Sequence, residues 1–141
     1  MSQSFYNDLI KHYLRAPINT SFNPKLSLGN GNSSIEMEVN KAHFHSAQFL
    51  HGSVIFKLLD DAAFFAAQSE ERTYFLFTAS FTSYFIRPVN KGILFAEGSV
   101  ISHTKSQIIS ESSIKNDEGK LIAKGSGVFV VSREELGSLT D

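Results

Sequence analysis

The stretch Phe49–Ser69, FLHGSVIFKLLDDAAFFAAQS, carries two adjacent carboxylates in an otherwise apolar run, with a His51–Gly52 pair near its head. A carboxylate in apolar surroundings is costly unless it has a partner or a task. It can serve there as half of an ion pair, or as a base or nucleophile tuned by partial desolvation. On a helix Asp60 shares a face with Ser53, Lys57 and Phe64, whereas Asp61, about 100° further round, sits with Lys57, Leu58 and Phe65. Both carboxylates can therefore meet Lys57. Composition alone does not choose between an ion pair and a reactive acid.

Gly52 adds a second kind of chemistry. A glycine at a helix start admits another group close to the backbone, and the amides of the first turn have no acceptor within the helix. With the helix dipole they form a donor site for a carbonyl oxygen that becomes negative during reaction. Asp60 lies eight residues on, roughly 12 Å along the axis, too far for both groups to touch one atom. If the two cooperate, the acid must come from a second subunit packed antiparallel, so an obligate dimer is expected.

Other chemistries are poorly supported. His43, His45 and His51 crowd into nine residues, but they offer no helical i, i+4 pair and no carboxylate lies among them, so no metal site is expected. The absence of cysteine removes disulfides, thiolate metal sites and a thiol nucleophile. Thirteen basic against fourteen acidic side chains leave no broad positive field, so nucleic acid is not expected as a partner. The polar first 25 residues contain no apolar run long enough for a signal peptide or a membrane span. A cytoplasmic protein without membrane attachment is the expectation.

The elements that must position these groups are legible from periodicity. Phe5, Leu9, Ile10, Tyr13 and Leu14 predict a short amphipathic helix over 4–15, closed by Pro17. Residues 27–34, SLGNGNSS, read as a turn, and Ile35, Met37 and Val39 alternate with polar residues as a first strand. An irregular stretch, HFHSAQFL, leads into the apolar helix over 49–69. A long strand follows, with Phe75, Phe77, Ala79, Phe81 and Phe85 on one face and Pro88 closing it. Two further strands span 92–103 and 106–116, NDEGK forms a hairpin turn, and a last strand covers 121–132. The pattern predicts an α+β fold with one antiparallel sheet packed on one helix, and a sheet curled around that helix explains its apolar circumference. At 141 residues the chain fits one domain.

Two segments together, HSAQFLHGSVIFKLLD over His45–Asp60 and FTASFTSYFIRPVNKGILFAEGSVI over Phe77–Ile101, resemble the hotdog-fold acyl-CoA thioesterases. The match is to the PaaI-like branch of the 4-hydroxybenzoyl-CoA thioesterase superfamily. It covers roughly residues 25–132, leaving 1–24 as an N-terminal helix and lead-in and 133–141 as a C-terminal tail. Its parts are a polar residue six before a His-Gly pair, a carboxylate nine after that His, a Thr opening the next long strand, and a closing RP...G.L.A pattern.

The resemblance implies a hotdog fold, a curved antiparallel sheet wrapped around one long central helix. It implies hydrolysis of acyl-CoA thioesters with medium-chain or aryl acyl groups. In it Asp60 is the general base or nucleophile, the Gly52 N–H polarises the carbonyl, and Thr78, from the partner side of the cleft, places water. His51 supports the helix start, and Asp61 is outside the motif, a solvated or dimer-edge charge paired with Lys57. Coenzyme A enters only as part of the substrate, no separate cofactor is implied, and a homodimer assembling into a tetramer is expected. His45 stands where the family usually has Asn or Gln, and Ser53 replaces a second glycine; an imidazole can donate a hydrogen bond in the amide's place, with a pH dependence that an amide lacks. His51, Ser53, Arg87, Lys91 and Lys105 are the substrate-binding candidates, the last three for the CoA portion.

Two rival readings stand beside this one. Hotdog dehydratases begin their site with an HF pair, here His43–Phe44, but the glutamate fourteen residues later is Lys57, which cannot act as the paired acid. A non-catalytic acyl-CoA-binding or sensor protein is the alternative, and it draws its support from His45 and Ser53.

Overall fold

The computed structural model describes residues 2–137. Its elements are α1 (Ser2–Arg15), a 3-10 turn (Pro17–Thr20), β1 (Lys25–Gly29), β2 (Asn32–Glu38), a second 3-10 turn (Lys41–His43), α2 (Gly52–Gln68), β3 (Tyr74–Phe85), β4 (Ile93–His103), β5 (Gln107–Lys115) and β6 (Leu121–Glu135). The strands form one six-stranded antiparallel sheet in the order β1-β2-β4-β5-β6-β3. Helix α2 packs against all six strands, the arrangement the α+β expectation requires. No described helix is long and apolar enough to cross a membrane.

The sheet holds α2 at short range because the contact surface is small-sided. Ala62, Ala63, Ala66 and Ala67 are wholly buried on α2, and Ala62, Ala63 and Ala67 pack in the clusters of Ile35, Leu94, Ala96, Ile108, Ile114 and Phe129. At Gly98 on β4 any Cβ would overlap the Ala62 carbonyl oxygen, so only glycine admits the helix this closely. Two buried serines reach up from the sheet: Ser33 Oγ donates to the Ala62 carbonyl, and Ser112 Oγ donates to that of Leu59 at 2.7 Å. Buried hydroxyls are thereby satisfied at the interface that fixes the height of α2.

Several boundaries differ from those expected. The segment expected as a turn over 27–34 is a hairpin, in which β1 pairs with β2 through a two-residue connection, Asn30–Gly31, with Gly31 at φ 78°. Strand β1, KLSLG, is too short and too close to glycine for its alternation to stand out in the sequence. Strand β2 ends at Glu38, so Val39 lies beyond it, and α2 starts at Gly52 instead of Phe49. Strand β6 runs on to Glu135, past the boundary placed at 132, and of the expected tail residues 138–141 lie outside the described ones.

The single face expected for Phe75, Phe77, Ala79, Phe81 and Phe85 is corrected by a bulge. Thr78 pairs with Phe129 and Ser80 with Val128, leaving Ala79 as the extra residue. Before the bulge the even positions point to α2, with Leu76 wholly buried and Thr78 touching Asp60, while Phe77 is 50% exposed and Phe75 meets Phe64 at the flank of α2. After it the odd positions do so, Phe81 against Phe56 and Phe85 beside Gly52.

Candidate active site

Asp60 sits near the middle of α2, half-buried, and Thr78 on β3 of the same chain donates its hydroxyl to Asp60 Oδ1 at 3.0 Å. The bulge at Ala79 sets this contact, because it brings an even-numbered hydroxyl to the helix just before the strand changes face. Thr78 was expected on the opposite side of the cleft; within the chain it stands beside Asp60. Burial pushes the Asp60 carboxyl up to about 6, and neighbouring Asp61 adds to the rise, while the Thr78 hydrogen bond and Lys57 oppose it. A carboxylate so placed is a base at neutral pH and a stronger one than an ordinary aspartate.

Both groups line an open groove of about 470 Å³. Phe56, Asp60 and Phe64 of α2 form its floor, Phe75 and Phe77 of β3 one side, and residues of α1 and the following 3-10 turn the other. The aromatic rings meet edge to face, Phe64 with Phe65 and Phe75 with Phe77. A second groove of about 510 Å³ lies between Phe22 and Lys41 and contains neither Asp60 nor Thr78.

The head of α2 is built by His51. Its Nδ1 accepts the Ser53 N–H at 3.0 Å and lies 2.8 Å from Ser53 Oγ, and its carbonyl accepts the Val54 N–H at 3.0 Å. Histidine thus acts as the N-cap, a place usually taken by Ser, Thr, Asp or Asn. Ser53 and Val54 are therefore both satisfied by His51. The N–H of Gly52 has no acceptor among the described residues. Gly52 itself is approached by Phe85, whose ring would lie 3.2 Å from an added Cβ.

His45 stands on the loop before α2, its ring 6.5 Å from that of His51. Its Nδ1 accepts the Ala47 N–H at 3.0 Å, which in the neutral ring leaves the proton on Nε2. His43 is placed elsewhere, against Phe22 and with Nε2 3.3 Å from Ser21 Oγ. Along one helix Asp60 remains about 12 Å from Gly52, so the chain brings Asp60 to Thr78 and His45 to His51 without joining the two groups.

The basic candidates separate in the same way. Arg87 donates from Nη1 to the Leu121 carbonyl at 2.8 Å, and its loop adjoins the head of α2 through the bond from Leu50 N–H to the Val89 carbonyl at 2.8 Å. Lys91 precedes β4 and Lys105 follows it, both exposed. An eleven-residue strand of roughly 35 Å separates the two residues, so within one protomer they do not meet at one phosphate.

Asp61 is neither solvated nor free. It pairs with Lys57, as the spacing suggested, and also accepts the Tyr13 hydroxyl at 2.7 Å. No local pattern marks Tyr13 or Asn19 for this place, because their partners lie 48 and 38 residues away.

A single antiparallel sheet carried around one long central helix, with an acid on that helix facing an aromatic groove, defines a hotdog-fold protein. Residues 47–123, more than half of the chain, match the family model described as the thioesterase superfamily, and the chain belongs to that family. It is 29% identical over 107 residues to a Saccharolobus solfataricus protein named "Putative esterase SSO1253", covering 76% of this chain and 71% of that one. In fold it is similar to the E. coli PaaI protein from the phenylacetic acid degradation operon, with a TM-score of 0.86, 20% identity, and 95% and 97% of the two chains covered. A Haemophilus influenzae thioesterase superposes with a TM-score of 0.79 at 18% identity, over 90% of each chain. Family membership supports thioester hydrolysis as the general chemistry.

Proposed function

We propose that the protein hydrolyses acyl-CoA thioesters of medium-chain or aryl acids, with Asp60 as the base or nucleophile in a site completed by a second subunit. The observation that carries this reading is the Asp60–Thr78 pair at the floor of an apolar groove, with its acid poised near 6. In the base form of the mechanism Asp60 takes a proton from water, the oxygen attacks the carbonyl carbon, and the carbon–sulfur bond breaks. The thiolate leaves with the proton that Asp60 accepted. As nucleophile Asp60 attacks directly, and water then cleaves the mixed anhydride; the sum is the same acid and thiol.

The developing oxyanion requires a donor, and the unused Gly52 N–H at the positive end of α2 suits it. That amide lies roughly 12 Å along the helix from Asp60 of its own chain, so the pairing is between protomers. Strand β3 supports a dimer on this side: it is a twelve-residue edge strand whose first residues are capped by Gln68 and Glu71 but which has no further neighbouring strand among the described residues, with Phe77 and Tyr84 exposed along it. His45, through Nε2, orients water or the carbonyl beside the Gly52 amide. Arg87 and Lys91, near the same helix head, attract the CoA phosphates, and Lys105 meets that ligand only if it comes from another subunit.

Purified protein assayed on hexanoyl-CoA and phenylacetyl-CoA, beside Asp60→Asn, tests the proposal. Turnover by the parent and a loss of at least about 100-fold in the variant are expected. An equally active variant would refute the role of Asp60, and a parent that binds without turnover would point to an acyl-binding protein.

A further inference from the structure

The second carboxylate of the pair belongs to a closed circuit. Tyr13 Oη donates to Asp61 Oδ2 at 2.7 Å, Lys57 Nζ donates to the same oxygen and to Asn19 Oδ1 at 2.7 Å, and Asn19 Nδ2 donates back to the Tyr13 carbonyl at 2.8 Å. The circuit ties α1, the 3-10 turn and α2 together. Tyr13 and Asn19 are 5% and 3% exposed, and the Lys57 and Asp61 side chains 17% and 18%. Lys57 Nζ also lies 5.3 Å and 5.1 Å from the centroids of the Tyr13 and Phe22 rings.

A largely buried ion pair gains little stability over apolar packing, and its best-attested use is to fix one geometry among several. Leu9 and Tyr13 already join α1 to the hydrophobic core, so the circuit is not needed merely to attach the helix. What it fixes is a wall. The segment it pins supplies His12, Ala16 and Ile18 to the groove above Asp60, facing Phe75 and Phe77. Ile18 is 60% exposed and Phe77 50% exposed on these facing rims, both large apolar side chains.

Taking the groove as the acyl site of the proposed hydrolase, we infer that Asp61, with Lys57, Tyr13 and Asn19, is a positioning cluster. It clamps the N-terminal wall against the acyl group and so sets the preference among acyl chains. The occupant is the apolar acyl portion of a thioester: the groove is continuous with the Asp60–Thr78 pair, and its lining is mostly aromatic and aliphatic, with Asn19, Lys57 and Asp61 of the cluster at its N-terminal side. Apolar selectivity depends on contact with each methylene, and a loosened wall gives up most contact with the longest chain.

The test is calorimetric binding of non-hydrolysable thioether analogues of acetyl-, hexanoyl-, decanoyl- and phenylacetyl-CoA to the parent, Tyr13→Phe and Asp61→Asn. Tyr13→Phe keeps the ring in the core and removes only one donor, so it decides the matter alone if Asp61→Asn fails to fold. The parent should bind more tightly as the chain lengthens, and in the variants the decanoyl analogue should lose at least about fivefold more affinity than the acetyl one. A loss equal for every analogue would mark the cluster as merely structural and overturn the inference. So would a parent indifferent to chain length. Binding with the expected preference but no turnover would remove the hydrolase reading and leave this inference standing, whereas turnover with unchanged preference would do the reverse.

Discussion

At the level of single residues, neighbouring carboxylates have been given opposite surroundings. Asp61 is held by a cation and a phenol, whereas Asp60 has one hydroxyl and an apolar groove. Burial raises Asp60 to about 6, so a base mechanism predicts kcat/KM rising with pH through an apparent pKa near 6. The Thr78 bond favours the ionised acid, and Thr78→Val should move that limb to higher pH; a pH–rate profile of the two proteins checks the direction. The same shift bears on stability with a definite sign. Because the folded-state value lies above the unfolded one, ionising Asp60 weakens the fold as pH rises through 4 to 6. Asp60→Asn should therefore be more stable than the parent at pH 8, by about 1 kcal/mol after discounting for its partial exposure, and equal to it below pH 4. Urea unfolding at the two pH values reads the difference.

At the level of elements, the site depends on the height of α2 above the sheet and on the bulge in β3. Gly98→Ala forces a Cβ into the Ala62 carbonyl and should cost about 2–3 kcal/mol, read as a lower urea midpoint. The long apolar helix, the Phe-rich strand and the NDEGK turn were all legible, since each has a strong period or a turn signature. The bulge was not. Alternating Phe75, Phe77, Phe81 and Phe85 look like one uninterrupted face, and only pairing with β6 reveals that Ala79 is an extra residue. Thr78 is a site candidate through the resemblance, but its contact with Asp60 of the same chain is not legible without the bulge. The circuit around Asp61 was legible only in part: Lys57 lies within one helical turn, but Tyr13 and Asn19 arrive through tertiary packing that no local pattern encodes.

At the level of the whole molecule, the proposed mechanism makes each chain the source of two incomplete half-sites, an acid with its hydroxyl and a helix head whose Gly52 amide has no acceptor among the described residues. A two-fold dimer would complete both at once, and complementation between differently disabled subunits reads this directly. Asp60→Asn removes the acid. Gly52→Pro removes the amide hydrogen at a first helical position where proline is well tolerated, with the Phe85 ring yielding slightly to the added carbon. Each homodimer should be inactive. The purified heterodimer, made by coexpression with two tags, should regain about half of the parent's turnover per dimer, because one of its two cross-subunit sites then has both Asp60 and Gly52 intact. A heterodimer as inactive as either homodimer would contradict the shared site.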